Sequence, residues 1–333
     1  MFTFGKKIGI DLGTTNTLIY MEGEGVVLNE PSVVAMDRES SRILAIGSEA
    51  KEMLGRTPRE IIAVKPIEDG VIADYDIVEN ILKFYIKKIH NRWIFFPPYL
   101  MICIPSGGTS VQKRSVRNAA MQAGCKKVFL IEESKAAAIG ANLDITKPEG
   151  NMIIDVGGGT TDVAVLSMGD IVTAETLRTG GNKQNEAINR YLRKQYNLAV
   201  GEITTEEIKH KIGYAISAPE NEKMKIRGRD LIAGLPKTIE VTAEEISEAL
   251  SEPLSSIIEG TKLVLEKTPP ELSADIIEKG IFLAGGGSLL KNFPLLIEKV
   301  TGITTHLADD PMSCVAIGTG RALQNIDLLK RIY

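Results

Sequence analysis

Residues 151–166 read NMIIDVGGGTTDVAVL, and the fold is decided by how this stretch is understood. Residues 151–156 are a short, mostly apolar run with an acid near its end, and residues 163–167 are a second such run, so the glycines between them make a tight turn. Gly157, Gly158 and Gly159 let main-chain N–H groups approach an anion without side-chain obstruction. Thr160 and Thr161 add hydroxyl donors, and Asp155 and Asp162 flank the turn where carboxylates can hold a divalent ion through its waters. The pattern reads as a phosphate-and-magnesium site on a β-hairpin. The plainer reading is a glycine-rich turn with no ligand.

A second copy tips the balance. Residues 8–20, IGIDLGTTNTLIY, align Ile10-Asp11-x-Gly13 with Ile154-Asp155-x-Gly157, and Thr14-Thr15-Asn16 with Thr160-Thr161-Asp162 once two glycines are treated as an insertion. Each copy is strand, acid, Gly/Thr turn, strand. A repeated supersecondary unit signals a doubled architecture, in which two similar halves each bring one hairpin to a shared cleft that fits one nucleotide polyphosphate.

The 333 residues are 44% hydrophobic and 25% charged, an ordinary soluble profile with enough material for two domains. A net charge of −4, from 39 basic and 43 acidic residues, argues against a dedicated nucleic-acid binder. With no apolar run of spanning length and no room for a signal peptide before residue 8, the expected location is the cytoplasm. Cys103, Cys125 and Cys314 are scattered and read as reduced core thiols, and His90, His210 and His306 have no ligand-like spacing, which disfavours zinc or Cys/His catalysis.

Along the chain, residues 26–28, 32–36 and 43–46 read as strands and 49–54 as a short helix, and 76–91 carries the i, i+3, i+4 stripe of a core-facing helix. Trp93, Ile94, Phe95 and Phe96 follow in a segment closed by Pro97-Pro98. These side chains are either tucked into the core or form a wedge at a bilayer interface, with Lys87, Lys88 and Arg92 nearby to meet anionic headgroups. A helix over 109–124 and a strand over 128–131 lead to Glu132 and Glu133. A carboxylate at a strand end beside a phosphate cleft is a candidate to orient water for attack on a terminal phosphate, with a paired surface acid as the competing reading. Residues 147–150 cross between the halves. Helices are expected over 180–196 and 205–211 and strands over 223–229 and 237–241. A helix over 242–267 opens on a capping box, and Pro253 is expected to kink or break it near Leu250. Residues 281–284 are a strand running into Gly285-Gly286-Gly287-Ser288, suited to an α-phosphate or a base, and 315–329 is a closing amphipathic helix. Neither a GxxxxGK[ST] loop nor a GxGxxG after a strand is present.

The segments Asp11 to Thr17, Asp155 to Asp162 and Leu283 to Ser288 resemble the phosphate 1, phosphate 2 and adenosine motifs of the actin superfamily. Within it, VLNEPSV (27–33), GRTP (55–58), DGVIAD (69–74), FLIEE (129–133), KHKIG (209–213) and TPPEL (268–272) are similar to MreB, the bacterial actin family of cell-shape control. The resemblance implies an α/β actin-like fold: two duplicated domains, or four subdomains, around a nucleotide cleft. The first domain would span 1–145, with a small subdomain at about 33–66, and the second 146–314, with a small subdomain at about 181–243. Residues 315–333 would return to the first domain as a helix. It further implies ATP or ADP with Mg2+ as cofactors. Asp11 and Asp155 would hold the magnesium waters. Gly13, Thr14, Thr15 and Asn16, together with Gly157, Gly158, Gly159, Thr160 and Thr161, would hold the phosphates, Thr161 also serving catalysis. Glu206 and Lys209 would flank adenosine with Gly285, Gly286 and Gly287, and Glu133 would position water. The expected partners are further copies of the chain in paired, antiparallel protofilaments, an anionic membrane surface met by Trp93 to Phe96 at the inner face of the cell membrane, and other bacterial actins or membrane shape proteins.

Two departures from the family pattern stand out. Glu133-Ser134-Lys135 replaces the usual Glu-Pro-Met, so an ion pair of Lys135 with Glu133 would lower the acid's basicity, and Asn182 and Asn185 stand where acids are common. Together they imply slow or negligible ATP hydrolysis with binding retained. The rival class is a monomeric small-molecule kinase of the same superfamily.

Overall fold

The structure is a computed structural model describing residues 5–68, 70–89, 97–104 and 109–325. Two five-stranded sheets form its frame. In the first, Gly25–Pro31, Asn16–Met21, Lys7–Leu12, Tyr99–Ile104 and Lys127–Glu132 lie side by side in that order. In the second the order is Asp170–Leu177, Thr161–Ser167, Asn151–Val156, Ile281–Ala284 and Thr305–Leu307. Both sheets pair their first three strands antiparallel and add the last two in parallel. The doubling seen in two short motifs therefore extends to the whole strand order.

Register corrects the alignment of the two hairpins. Leu12 pairs with Thr17 and Val156 with Thr161, while the Gly13 N–H donates to the Asn16 carbonyl at 3.1 Å and the Gly157 N–H to the Thr160 carbonyl at 2.9 Å. The turns have equal length and no glycines are inserted. Thr14 and Thr15 take the places of Gly158 and Gly159, and the counterpart of Thr161 is Thr17. Matching threonine to threonine gave the wrong register, because ladder pairing and turn length fix a hairpin whatever side chains its tip carries.

Each sheet has its own core. Ile8, Ile10, Ile81, Leu82, Leu100 and Ile102 are sealed in the first, where helix Tyr75–Ile89 presents its apolar stripe. Met152, Ile154, Leu250, Ile257 and Leu283 are sealed in the second. A third cluster draws on both sheets and on the helices Glu133–Gly140 and Cys314–Gln324, which cross where neither carries a side chain. A Cβ on Gly318 would lie 1.8 Å from the Ala136 carbonyl oxygen, and one on Gly140 would lie 1.9 Å from that of Cys314. Two smaller three-stranded sheets, Ile43–Ile46 with Val34–Asp37 and Ile61–Val64, and Leu198–Ala199 with Lys223–Asp230 and Pro236–Thr242, and a two-stranded pair, Ile67–Glu68 with Val71–Ile72, complete the sheets of the described residues.

Helix Ala243–Lys267 runs unbroken through Pro253, against the expected interruption near Leu250. An interior proline costs about 3 kcal/mol. Here Leu250, Leu254 and Ile257, on both sides of it, are at most 2% exposed, and their packing holds the axis. The capping box at its start is present as expected, with Thr242 and Glu245 satisfying each other's backbone N–H. Trp93, Ile94, Phe95 and Phe96 lie outside the described residues, as do residues 326–333. No helix among the described residues is long and apolar enough to cross a membrane.

Candidate functional site

The two hairpins meet tip to tip at a cleft of about 360 Å³ between the sheets. A Cβ placed on Gly158 would sit 1.8 Å from Thr15 Oγ1 and 2.7 Å from Thr15 Cβ, so only glycine allows this approach. Each tip is braced from behind. Ser32 donates its hydroxyl to the Gly13 carbonyl at 2.7 Å and its N–H to the Thr15 carbonyl at 2.8 Å. On the other side, Gly181 and Asn182, which open helix Gly181–Tyr196, donate their N–H groups to the carbonyls of Gly157 and Gly158 at 3.0 and 2.8 Å. With the carbonyls so engaged, the backbone N–H groups of Thr14, Thr15, Gly158 and Gly159 have no acceptor among the described residues. Four unsatisfied donors on facing turns make an anion cradle. Gly158→Ala is therefore expected to weaken polyphosphate binding by about five- to 150-fold, the effect of about 1 to 3 kcal/mol of overpacking, with Thr15→Gly restoring part of it. Calorimetric titration of the single and double variants checks this.

Beneath the cradle stand four acids. Asp11 and Asp155 occupy equivalent places on the central strands, and Asp162 pairs directly across from Asp155. Burial raises the Asp11 carboxyl to about 6, partly offset by the Cys103 thiol, which donates to Asp11 Oδ1 at 3.2 Å. Burial and the charges of Asp162 and Asp11 hold Asp155 well above the usual carboxylate range. Glu133, the first residue of helix Glu133–Gly140, is raised by burial and then by Asp162, Asp11 and Asp155, and its Oε2 is sealed without a hydrogen-bond partner among the described residues. Neither Asp11, Asp155 nor Glu133 forms an ion pair with a described residue. Buried acids in like-charge company call for a cation, so the donor set fits Mg2+.

Asp11, Gly13, Thr14, Thr15, Asn16, Glu133, Asp155, Gly157, Gly158, Gly159, Thr160, Glu206, Lys209, Gly285, Gly286 and Gly287 all line this one cleft. Thr161 does not. It is fully buried and its hydroxyl donates to the Thr179 carbonyl at 2.6 Å, because it is the first residue of a strand and turns inward where Thr160 remains on the tip. Asp162 also stands back from the cleft, with Oδ1 accepting from the Thr176 hydroxyl at 2.6 Å. The expected Lys135 to Glu133 ion pair is not formed. Lys135 reaches Asp170 Oδ1 at 2.6 Å and Glu132 Oε2 at 3.3 Å, since residues two apart on a helix point to different sides.

Several lining residues escaped the sequence reading, among them Lys51, Cys103, Gln184 and His210. Parallel pairing of Ile10 with Ile102 sets Cys103 beside Asp11, a juxtaposition that local patterning does not reveal. Lys51 Nζ bonds Glu206 Oε2 at 3.0 Å, and Lys65 pairs with Glu202 one helical turn earlier, so two ion pairs tie helix Glu202–Ile212 to the first half of the chain, the first of them on the cleft wall. Lys209 donates to the Gly181 carbonyl at 3.0 Å, and burial lowers its ammonium to about 8 against the opposing pull of Glu206. Anion binding favours the protonated amine, so nucleotide affinity should hold below that pH and fall above it. Lys209→Met should lower affinity and flatten the profile, as calorimetry across the range would show.

A doubled sheet with paired Gly/Thr hairpins at a central cleft defines an actin-like fold. The family model described as MreB/Mbl protein matches residues 5–331. The cell shape-determining protein Mbl of Bacillus cereus is 50% identical over 328 residues, covering 98% of each chain. The cell shape-determining protein MreB of Escherichia coli K12 is 47% identical over 330 residues, covering 98% of this chain and 95% of that one. MreB5 of Spiroplasma citri, solved bound to ADP, superposes with a TM-score of 0.93 at 36% identity over 99% of both chains. The chain belongs to the MreB/Mbl family, and its role is that of a bacterial actin of the cell-shape cytoskeleton.

Proposed function

We propose that this bacterial actin binds ATP with Mg2+ between its two hairpins, turns it over through Glu133, and assembles into paired antiparallel protofilaments at the inner face of the cell membrane. The observation that carries the reading is the set of N–H groups without an acceptor among the described residues on two facing turns, above the buried acids Asp11 and Asp155, which form no ion pair with a described residue. ADP and AMPPNP complexes of the Spiroplasma relative support the choice of ligand.

In this reading Thr14, Thr15, Gly158 and Gly159 hold phosphate oxygens, and Asp11 and Asp155 hold the ion through its waters. Bound there, Mg2+ neutralises phosphate charge. Lys209, Glu206 and Gly285 to Gly287 flank adenosine. Glu133, raised in pKa and free of Lys135, orients water and accepts its proton. With that lysine engaged elsewhere, it is Asn182 and Asn185, two neutral side chains on the cleft wall, that keep hydrolysis slow. Trp93, Ile94, Phe95 and Phe96 serve as the membrane wedge and Lys87, Lys88 and Arg92 as its anionic-lipid contacts.

Negative-stain microscopy on anionic vesicles tests the reading. With Mg2+ and ATP the chain should form paired filaments on the vesicle surface, and Trp93→Ser with Phe95→Ser should leave filaments in solution but bare vesicles. Dispersed particles under all conditions would contradict self-assembly, and unchanged vesicle decoration by the double variant would remove the wedge.

A further inference from the structure

Asp11, Cys103 and Glu133 come from three adjacent parallel strands or their immediate continuation. Lys7–Leu12, Tyr99–Ile104 and Lys127–Glu132 run side by side, and each delivers one of these residues at its carboxyl end, Glu133 as the first residue after the third strand. One carboxylate oxygen from each acid and the Cys103 Sγ all lie within 4.8 Å of one another. The ligands of a single tetrahedral ion, with metal–sulfur bonds near 2.3 Å and metal–oxygen bonds near 2.1 Å, stand about 3 to 4 Å apart. Small side-chain rotations close that difference. Cys103 is 5% exposed and Asp11 8%, and Cys103 is the only described side chain that hydrogen-bonds the Asp11 carboxylate. A second observation points to a missing partner: Glu133 Oε2 is sealed from solvent and makes no hydrogen bond with a described residue. The other two cysteines lack this setting. The Cys314 thiol donates to the Asp310 carbonyl at 3.2 Å, and Cys125 lies among apolar residues of the first core.

We infer that Asp11, Cys103 and Glu133 form a binding site for a thiophilic divalent cation of the zinc class, which shares Asp11 with the water-mediated magnesium position but adds the Cys103 sulfur and Glu133 as ligands. A hard ion has no use for sulfur, whereas a borderline or soft one prefers a thiolate with two carboxylates and keeps a fourth position for water. Binding replaces the thiol proton with the metal–sulfur bond and displaces any proton held by the raised Glu133 carboxyl, releasing both to the buffer with no change of oxidation state. The ion ties up both the acid that holds the magnesium waters and the acid that orients the attacking water. Zinc-class ions are therefore inhibitory at this cleft, in competition with Mg2+ and nucleotide.

Titration with Cd2+ in the absence of nucleotide, followed by the ultraviolet thiolate-to-cadmium absorbance, tests the site independently of whether the cleft takes ATP. The Cys125→Ser/Cys314→Ser variant, which keeps Cys103 alone, should show the band saturating at one equivalent, and Glu133→Gln in that background should weaken Cd2+ at least about tenfold. Cys103→Ser, with the other two thiols intact, should lose the tight phase. A folded single-thiol variant without the band, or an unchanged tight phase in Cys103→Ser, overturns the inference.

Discussion

Glu133→Gln is expected to lower ATP turnover by about a hundred- to a thousandfold while nucleotide affinity stays within about threefold of the parent. The amide keeps the shape and the position at the head of helix Glu133–Gly140 but accepts no proton. A second readout separates this from a structural lesion. The folded state resists ionising Glu133, because burial and three aspartates raise its pKa. A raised carboxyl contributes stability that is fully present below its unfolded pKa and is lost as pH rises through the folded value. The neutral glutamine removes that loss, so the variant should melt higher than the parent at neutral pH and in the absence of Mg2+, and the gap should close in acid. Phosphate release, calorimetry and melts at two pH values check the set. Normal turnover in the variant would remove Glu133 from the chemistry.

Gly318→Val should be the most damaging substitution outside the cleft. The closing helix and helix Glu133–Gly140 touch backbone to backbone, and a side chain at 318 meets the Ala136 carbonyl carbon at 2.7 Å as well as its oxygen. Backbone cannot swing aside as a side-chain tip can, so the helices must separate and open the core that joins the two sheets. The cost is expected at about 3 kcal/mol or more, lowering the melting midpoint by about 4 °C or more. Because Glu133 heads the displaced helix, turnover should fall with stability. Thermal denaturation with a circular dichroism readout decides it, and a midpoint within about 2 °C of the parent would contradict the packing described.

Features carried by adjacent residues were legible in the sequence. Both hairpins, the doubling, the amphipathic helix now seen over Tyr75–Ile89 and the capping box of the long helix could be read directly, because each depends on local spacing. So could the acids, glycines and threonines of the two turns that line the cleft, since strand, acid and glycine turn repeat at both of its walls. What failed required knowledge of direction or register. Thr161 looked like a phosphate ligand until the strand began at it and turned its hydroxyl to Thr179. Lys135 looked like the partner of Glu133 until helical phase sent it to Asp170. Cys103 looked like an ordinary core thiol, and only the parallel pairing of strands far apart in sequence placed it against Asp11. Pro253 looked like a break because helix propensity is local, whereas the packing that overrides it is not.

A crystal structure of the full chain with AMPPNP and Mg2+ tests the central claim most directly. The account predicts phosphate density between the two tips, within hydrogen-bonding reach of the N–H groups of Thr14, Thr15, Gly158 and Gly159, and an ion between Asp11 and Asp155. Nucleotide held by one hairpin alone, or density away from both, would contradict it.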